Sequence, residues 1–266
     1  MTDPAAGELE KRNLFDLHGS VAAVVGGTGV LGGAMAHGLG RAGAGVAILG
    51  RSRERGEERV RALEAEGVPA VYVEADATDA DSLERARVAA ERALGAVNVL
   101  VNAPGVNSST PFLEIALDEW HRLIDANLTS VFLACQVFAR SMIANGNGGS
   151  IVNVSSASSG PPLSRVLTYS VAKAGVNNLT QYLARELAPH RIRVNAIAPG
   201  FFPAEQNRRL LSEDRVRAIL GHTPAGRLGE PDELLGATVW LASSAASGFV
   251  TGAIVRVDGG FTAMTI

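Results

Sequence analysis

Lysine is almost missing from this 266-residue chain: of its 24 basic residues only Lys11 and Lys173 are lysines, and the rest are arginines. Cysteine occurs once, as Cys135, which excludes an internal disulfide and offers nothing to a thiolate metal cluster. In the apolar stretch VFLACQVF it reads as buried filler. Aromatic residues make up 5% of the chain, and tyrosine is limited to Tyr72, Tyr169 and Tyr182. The five histidines (18, 37, 121, 190 and 222) have no metal-ligand spacing, so no metal is expected. Uninterrupted apolar runs fall short of the roughly 18 residues of a membrane span. A net charge of -3 argues against a surface built for nucleic acid. The N-terminal MTDPAAGELEKRNLFDL lacks the apolar stretch of a secretory signal. A cytoplasmic protein with no nucleic-acid or membrane partner is expected, with residues 1–14 as a flexible tail.

Against these absences, 47% of the residues are hydrophobic, enough for one large core. Short β-type runs fall at 21–26, 45–50, 70–75, 97–102, 150–155, 193–198 and 253–258. Between them lie amphipathic segments such as AMAHGLGRAG, ERVRALEAEG and DSLERARVAAERAL, with apolar residues at helical spacing. Near-continuous Val/Ile/Ala strands are those of a parallel sheet covered on both faces. The expected fold is α/β: a single-domain, doubly wound parallel sheet of about seven strands, Rossmann-type, with helices on both faces. In such sheets ligands sit at the carboxyl ends of the strands.

After the first run comes Gly26-Gly27-Thr28-Gly29-Val30-Leu31-Gly32-Gly33, in which Gly27, Gly29 and Gly32 satisfy G-x-G-x-x-G. Following a strand and opening a helix, this is the tight turn and helix N-terminus that cradle a pyrophosphate. After the second run the acid that would grip the ribose of NAD is replaced by Gly50-Arg51-Ser52-Arg53. Gly50 leaves space, and Arg51 and Arg53 offer charge to a 2′-phosphate, so NADP(H) is favoured and NAD(H) is the alternative. Ser52 also fits a helix N-cap. Asp76, after the third run, suits an adenine amino group or a turn.

Tyr169 and Lys173 stand four residues apart and share one helix face. A phenol of pKa near 10 needs a neighbouring cation to ionise at neutral pH, and a compact ammonium supplies it better than a guanidinium. That the second of only two lysines falls here favours function. Upstream, Ser155, Ser156, Ser158 and Ser159 follow the fifth run, and chemistry alone does not choose among them. Asn127, polar within a helical stretch, is placed to hold a water or a backbone group.

In their order, the glycine turn, Asn102, Asn127, Ser156, the Tyr169/Lys173 pair and Asn195-Ala196-Ile197-Ala198-Pro199-Gly200 resemble the short-chain dehydrogenase/reductase family over residues 15–260. The resemblance implies a nicotinamide-dependent oxidoreductase acting on a carbonyl or secondary alcohol. It selects Ser156, thirteen residues before Tyr169, to orient the carbonyl. It makes Tyr169 the general acid/base, Lys173 the ribose ligand that lowers the phenol's pKa, and Asn127 the anchor of a proton-relay water. The cofactor-binding set it implies is Gly26, Thr28, Gly29, Val30, Leu31, Arg51, Ser52, Asp76, Ala77, Asn102, Ala103, Tyr169, Lys173, Pro199 and Gly200. Two departures stand out: Val30 replaces a family glycine, and the family's N-N-A-G reads Asn102-Ala103-Pro104-Gly105. A homotetramer is implied through the helices carrying Asn127 and Tyr169, with residues 234–266 as a further contact.

The segment 201–225 is expected to cover the substrate. Together with HTPAGRLGEPDELLG and VDGGF it resembles the mannonate (fructuronate) oxidoreductase branch, which implies a sugar-acid or polyol substrate. Asn107, Ser156, Arg165, Phe201, Gln206, Asn207 and Arg208 are its expected contacts, with the arginines serving a carboxylate. His222 is expected to be structural. Two other readings compete: a reductase of another carbonyl, such as a 3-oxoacyl thioester or xenobiotic ketone, and a non-catalytic cofactor sensor. The intact Ser156/Tyr169/Lys173 set counts against the sensor, which needs only the cradle.

Overall fold

All seven apolar runs become strands in the computed structural model, which describes residues 13–161, 163–202 and 212–264. They are β1 (Val21–Val25), β2 (Gly45–Gly50), β3 (Ala70–Glu74), β4 (Val99–Asn102), β5 (Gly149–Val154), β6 (Ile192–Pro199) and β7 (Ile254–Val257). One seven-stranded sheet has the order β3-β2-β1-β4-β5-β6-β7, with every neighbouring pair parallel. The winding reverses between β1 and β4, where a doubly wound sheet opens its crevice.

Successive strand residues face opposite sides, and each side has its own core. Ala23, Leu100, Ile151 and Val194 pack with residues of α3 (Ala80–Leu94), α5 (Ser130–Asn145) and α6 (Leu167–Leu187), among them Leu83, Phe138 and Val176. On the other side Ala22, Val24, Val152 and Ile197 pack with Met35 and Leu39 of α1 (Val30–Arg41), Leu63 of α2 (Arg53–Ala65) and Leu241 of α8 (Leu235–Ala242). Among the described residues the remaining α-helices are α4 (Leu117–Ile124), α7 (Glu213–Gly221) and α9 (Ser244–Ser247). Glu230 forms a capping box on the 3₁₀ turn Pro231–Leu234.

Three local features matter for the site. A π-turn, Asp125–Thr129, joins α4 to α5; such turns often mark functional positions. The continuous helix Leu117–Asn145 has the length and hydropathy of a membrane span, but half of that apolar window is buried inside the protein. This packing accounts for an apolar character that a search for uninterrupted runs passes over. Arg193 of β6, buried, donates to the carbonyls of Leu241 (2.9 Å) and Ala242 (3.3 Å) and so closes the C-terminus of α8. Of the expected tail, residues 1–12 lie outside the described residues, and Leu14 is tied down by Ser243 Oγ, which donates to its carbonyl at 2.5 Å.

Candidate active site

The carboxyl ends of β1 to β5 open into a cleft of about 440 Å³, whose lining includes Gly26, Thr28, Gly29, Val30 and Leu31. Gly26 has φ +79°, and a Cβ there would lie 2.7 Å from the Ala103 carbonyl oxygen. Only glycine satisfies both demands. At Gly32 a Cβ would stand 2.4 Å from the Gly26 oxygen, so the turn folds directly against the helix. Helix α1 starts at Val30 with no capping side chain on Gly29 and no acid in its first turn. Its first amides are left for an anion, in the field of the helix dipole. Val30, the departure from the family glycine, is thus the first helical residue and lines the cleft.

Arg51, Ser52, Asp76, Ala77 and Ala103 line the same cleft. The space expected at Gly50 is filled by Thr28, whose hydroxyl oxygen stands 2.6 Å from where a Cβ would be. Arg53 turns away, toward Glu57 (3.5 Å) and Glu74 (3.7 Å). Arg55, one helix residue-pair further on, takes its place in the lining and donates Nε–H to Ser52 Oγ at 3.2 Å. Ser52 occupies the N-cap of α2 without making the capping bond. Asp76 is both turn and lining: its Oδ1 accepts from the Thr78 amide (2.9 Å) and hydroxyl (2.7 Å). These bonds, with Arg51's charge, hold its carboxyl below the ordinary value.

Three expected cofactor residues do not line the cleft. Asn102 does not line the cleft; its Nδ2 donates to Asn153 Oδ1 (2.9 Å) and Cys135 Sγ (3.3 Å) inside the core. β4 alternates sides, and this position faces β5 and α5 rather than the crevice. Pro199 is buried in β6 and lines neither cavity, while Gly200 lines the second pocket described below. Cys135 is buried filler, its thiol pushed up to about 12 by burial.

At the inner end of the cleft, Lys173 is buried and Nζ donates to the carbonyls of Val154 (2.9 Å) and Pro104 (3.3 Å). The ammonium lies 5.7 Å from the Tyr169 ring centroid. Burial pulls Lys173 down to about 8. Burial also raises the phenol of Tyr169, with a Ser156 hydrogen bond opposing it. No lowering of the phenol by Lys173 accompanies these two effects. The Pro104 departure keeps a role, since a proline carbonyl accepts as well as any other.

The four serines sort themselves by geometry. Ser155 Oγ donates to the Lys173 carbonyl at 3.2 Å, and Ser159 Oγ donates to the Ser156 carbonyl at 2.6 Å. Ser156 Oγ accepts from the Ser158 amide (3.2 Å) and hydroxyl (3.0 Å) and bonds Tyr169. Asn127, fully buried, donates Nδ2 to the carbonyls of Val106 and Leu123, both at 2.8 Å, and accepts the Val106 amide at 3.3 Å. It holds a backbone group, the loop leading out of β4.

A second pocket shares Tyr169 and Asn107 with the cleft and is also lined by Ser156, Arg165, Gly200 and Phe201. Arg215 of α7 completes it, a residue that sequence reasoning missed because only tertiary structure brings residue 215 to residue 165. Arg55 was within reach, lying three positions after the N-cap Ser52, in the first turn of α2. Among the described residues, no acid lines this pocket. Phe201 stacks edge-on against Phe261 at 5.0 Å, and His222 does so at 4.8 Å, a packing role. Gln206, Asn207 and Arg208 lie outside the described residues.

Comparison with known proteins adds an independent line. A family profile described as enoyl-(acyl carrier protein) reductase matches residues 28–262. Gluconate 5-dehydrogenase of Gluconobacter oxydans is 38% identical over 251 residues, covering 94% of this chain and 97% of that one. 5-Keto-D-gluconate 5-reductase of Escherichia coli is 37% identical over 249 residues, covering 93% and 97%. The fold matches gluconate 5-dehydrogenase from Burkholderia cenocepacia in complex with NADP and tartrate, with a TM-score of 0.90 and 35% identity over 95% of this chain and 99% of that one. These relatives carry gluconate and ketogluconate names, not the mannonate or fructuronate activity expected for the branch. Sequence match and shared fold together establish that the chain belongs to the short-chain dehydrogenase/reductase family of oxidoreductases.

Proposed function

We propose that this enzyme transfers a hydride between NADP(H) and the carbonyl or secondary alcohol of a sugar acid of the ketogluconate class. One observation carries the reading: Tyr169 lines both the cofactor cleft and a pocket whose only charged walls, among the described residues, are Arg165 and Arg215. Arginines without a competing acid select an anion. The names of the gluconate relatives point the same way.

The cleft fits a dinucleotide phosphate. The uncapped start of α1 and the closed glycine turn suit a pyrophosphate, and Arg51 with Arg55 suits a 2′-phosphate. Relatives solved with NADP support that choice over NAD. Bound there, the nicotinamide supplies or accepts the hydride. In reduction, Tyr169 donates its phenolic proton to the carbonyl oxygen, which Ser156 Oγ holds beside it. Lys173, fixed by the Val154 and Pro104 carbonyls, keeps positive charge next to the phenolate that forms. Asn127 keeps the loop at Val106 in register with both.

NADPH oxidation with 5-keto-D-gluconate, fructuronate, tagaturonate, a 3-oxoacyl thioester and simple ketones tests the reading. A sugar acid should give the highest kcat/KM. A neutral ketone or thioester outrunning every sugar acid would overturn it. A homotetramer is part of the same proposal: Leu167, Val171 and Tyr182 expose apolar surface on α6, as Phe132 does on α5. Sedimentation equilibrium checks it, and a monomer would refute it.

A further inference from the structure

We propose that Arg215 is the specificity-determining residue that receives the substrate's carboxylate, with Arg165 as the second cation of the same receptor; this rests on the sugar-acid reading above. Arg215 donates Nη1–H to Ser164 Oγ at 3.0 Å and Nη2–H to the Ser164 carbonyl at 2.8 Å. Both acceptors are neutral. Among the described residues neither Arg215 nor Arg165 has a carboxylate partner, whereas Arg217 on the same helix pairs with Asp214, and Arg227 pairs with Glu233 at 2.6 Å. A guanidinium held by its fork yet uncompensated in charge is set to take a carboxylate in bidentate geometry.

Its mounting is helical. Ser212 caps α7, accepting the Arg215 amide at 3.3 Å, so the side chain projects from the first turn of a helix and not from a loop. Arg165 sits next to the Ser164 anchor with φ +66°, a left-handed backbone that L side chains seldom adopt. Such positions persist where the surroundings require them. Here the turn puts a second guanidinium into the wall that also carries Ser156 and Tyr169. The pocket thus pairs a carbonyl-handling end with a carboxylate-handling end, which a neutral ketose of the same size does not use.

The test compares tartrate with threitol, its uncharged counterpart, by calorimetric titration of the enzyme–NADP complex. Wild-type enzyme should bind tartrate more tightly than threitol. Arg215→Met should weaken tartrate by about 10- to 100-fold, the range for losing a charged hydrogen-bond partner, with threitol and NADP binding unchanged. Arg215→Lys should recover part of the loss, and Arg217→Met should match wild type. In turnover, Arg215→Met should raise KM for 5-keto-D-gluconate while kcat stays within about threefold. Unchanged tartrate binding in Arg215→Met, or equal loss of tartrate and threitol, would overturn the inference, as would wild-type enzyme that prefers threitol. If the wild type reduces no sugar acid but tartrate binding still depends on Arg215, the substrate reading falls and the anion receptor stands.

Discussion

Asn127 grips Val106 by both of its backbone groups, donating to the carbonyl at 2.8 Å and accepting the amide at 3.3 Å. One side chain thus ties the π-turn between α4 and α5 to the loop that carries Pro104, itself an acceptor for Lys173. Asn127→Ala leaves the half-buried Val106 amide and carbonyl without that partner, at a cost near the low end of the ~1–3 kcal/mol per unsatisfied buried group. The expected outcome is a lowered melting temperature together with reduced kcat. A variant with unchanged melting temperature would show the loop is held by other means.

Tyr169→Phe removes the only phenol that lines both cavities while preserving the ring over Lys173. Proton transfer by a positioned acid accounts for about 10²- to 10⁴-fold in rate, so kcat should fall by that factor with NADPH affinity retained. Full turnover in this variant would remove Tyr169 from the mechanism.

The pH dependence follows from Lys173, drawn from an ordinary 10.5 down to about 8 by burial. In the mechanism proposed above, reduction needs the ammonium charged and the phenol protonated. The reduction rate should therefore be level below pH about 8 and fall above it, with Tyr169, raised by burial, titrating later. Oxidation needs the phenolate and should rise toward alkaline pH. The same shift has a stability consequence: between about 8 and 10.5 the unfolded chain holds more protons at this site, so its contribution to stability increases as pH rises through that window. A pH–rate profile of reduction still rising at pH 9 would contradict the assignment.

Cofactor choice should rest on Arg51 and Arg55, not on Arg53, which is occupied by Glu57 and Glu74. Arg51→Asp should weaken NADPH by about 10- to 100-fold and reverse the preference toward NADH. Arg55→Met should weaken NADPH alone, and Arg53→Met should change neither. The ratio of kcat/KM values for the two cofactors reads all three. Wild-type preference for NADH would refute the phosphate role of these arginines.

The sheet is legible in the sequence, because the inner strands are buried on both faces and so are largely apolar, and the half-buried edge strands β3 and β7 keep the same β-type residues. The sequence by itself also determined the cradle and the Tyr169/Lys173 pair, since both depend on spacing within one turn or one helix, and local spacing survives folding unchanged. Tertiary structure decided what depends on direction or on distant partners. Asn102, beside the cradle in sequence, turns into the core because its side of β4 faces Asn153. Ser156 separates from Ser155 and Ser159 only when α6 packs over β5 and supplies the Lys173 carbonyl and Tyr169. Arg215 joins Arg165 only when α7 folds onto the loop before α6. Reaction type is thus written in local spacing, whereas the paired arginines of the second pocket are assembled across fifty residues of chain, where no periodicity reports it.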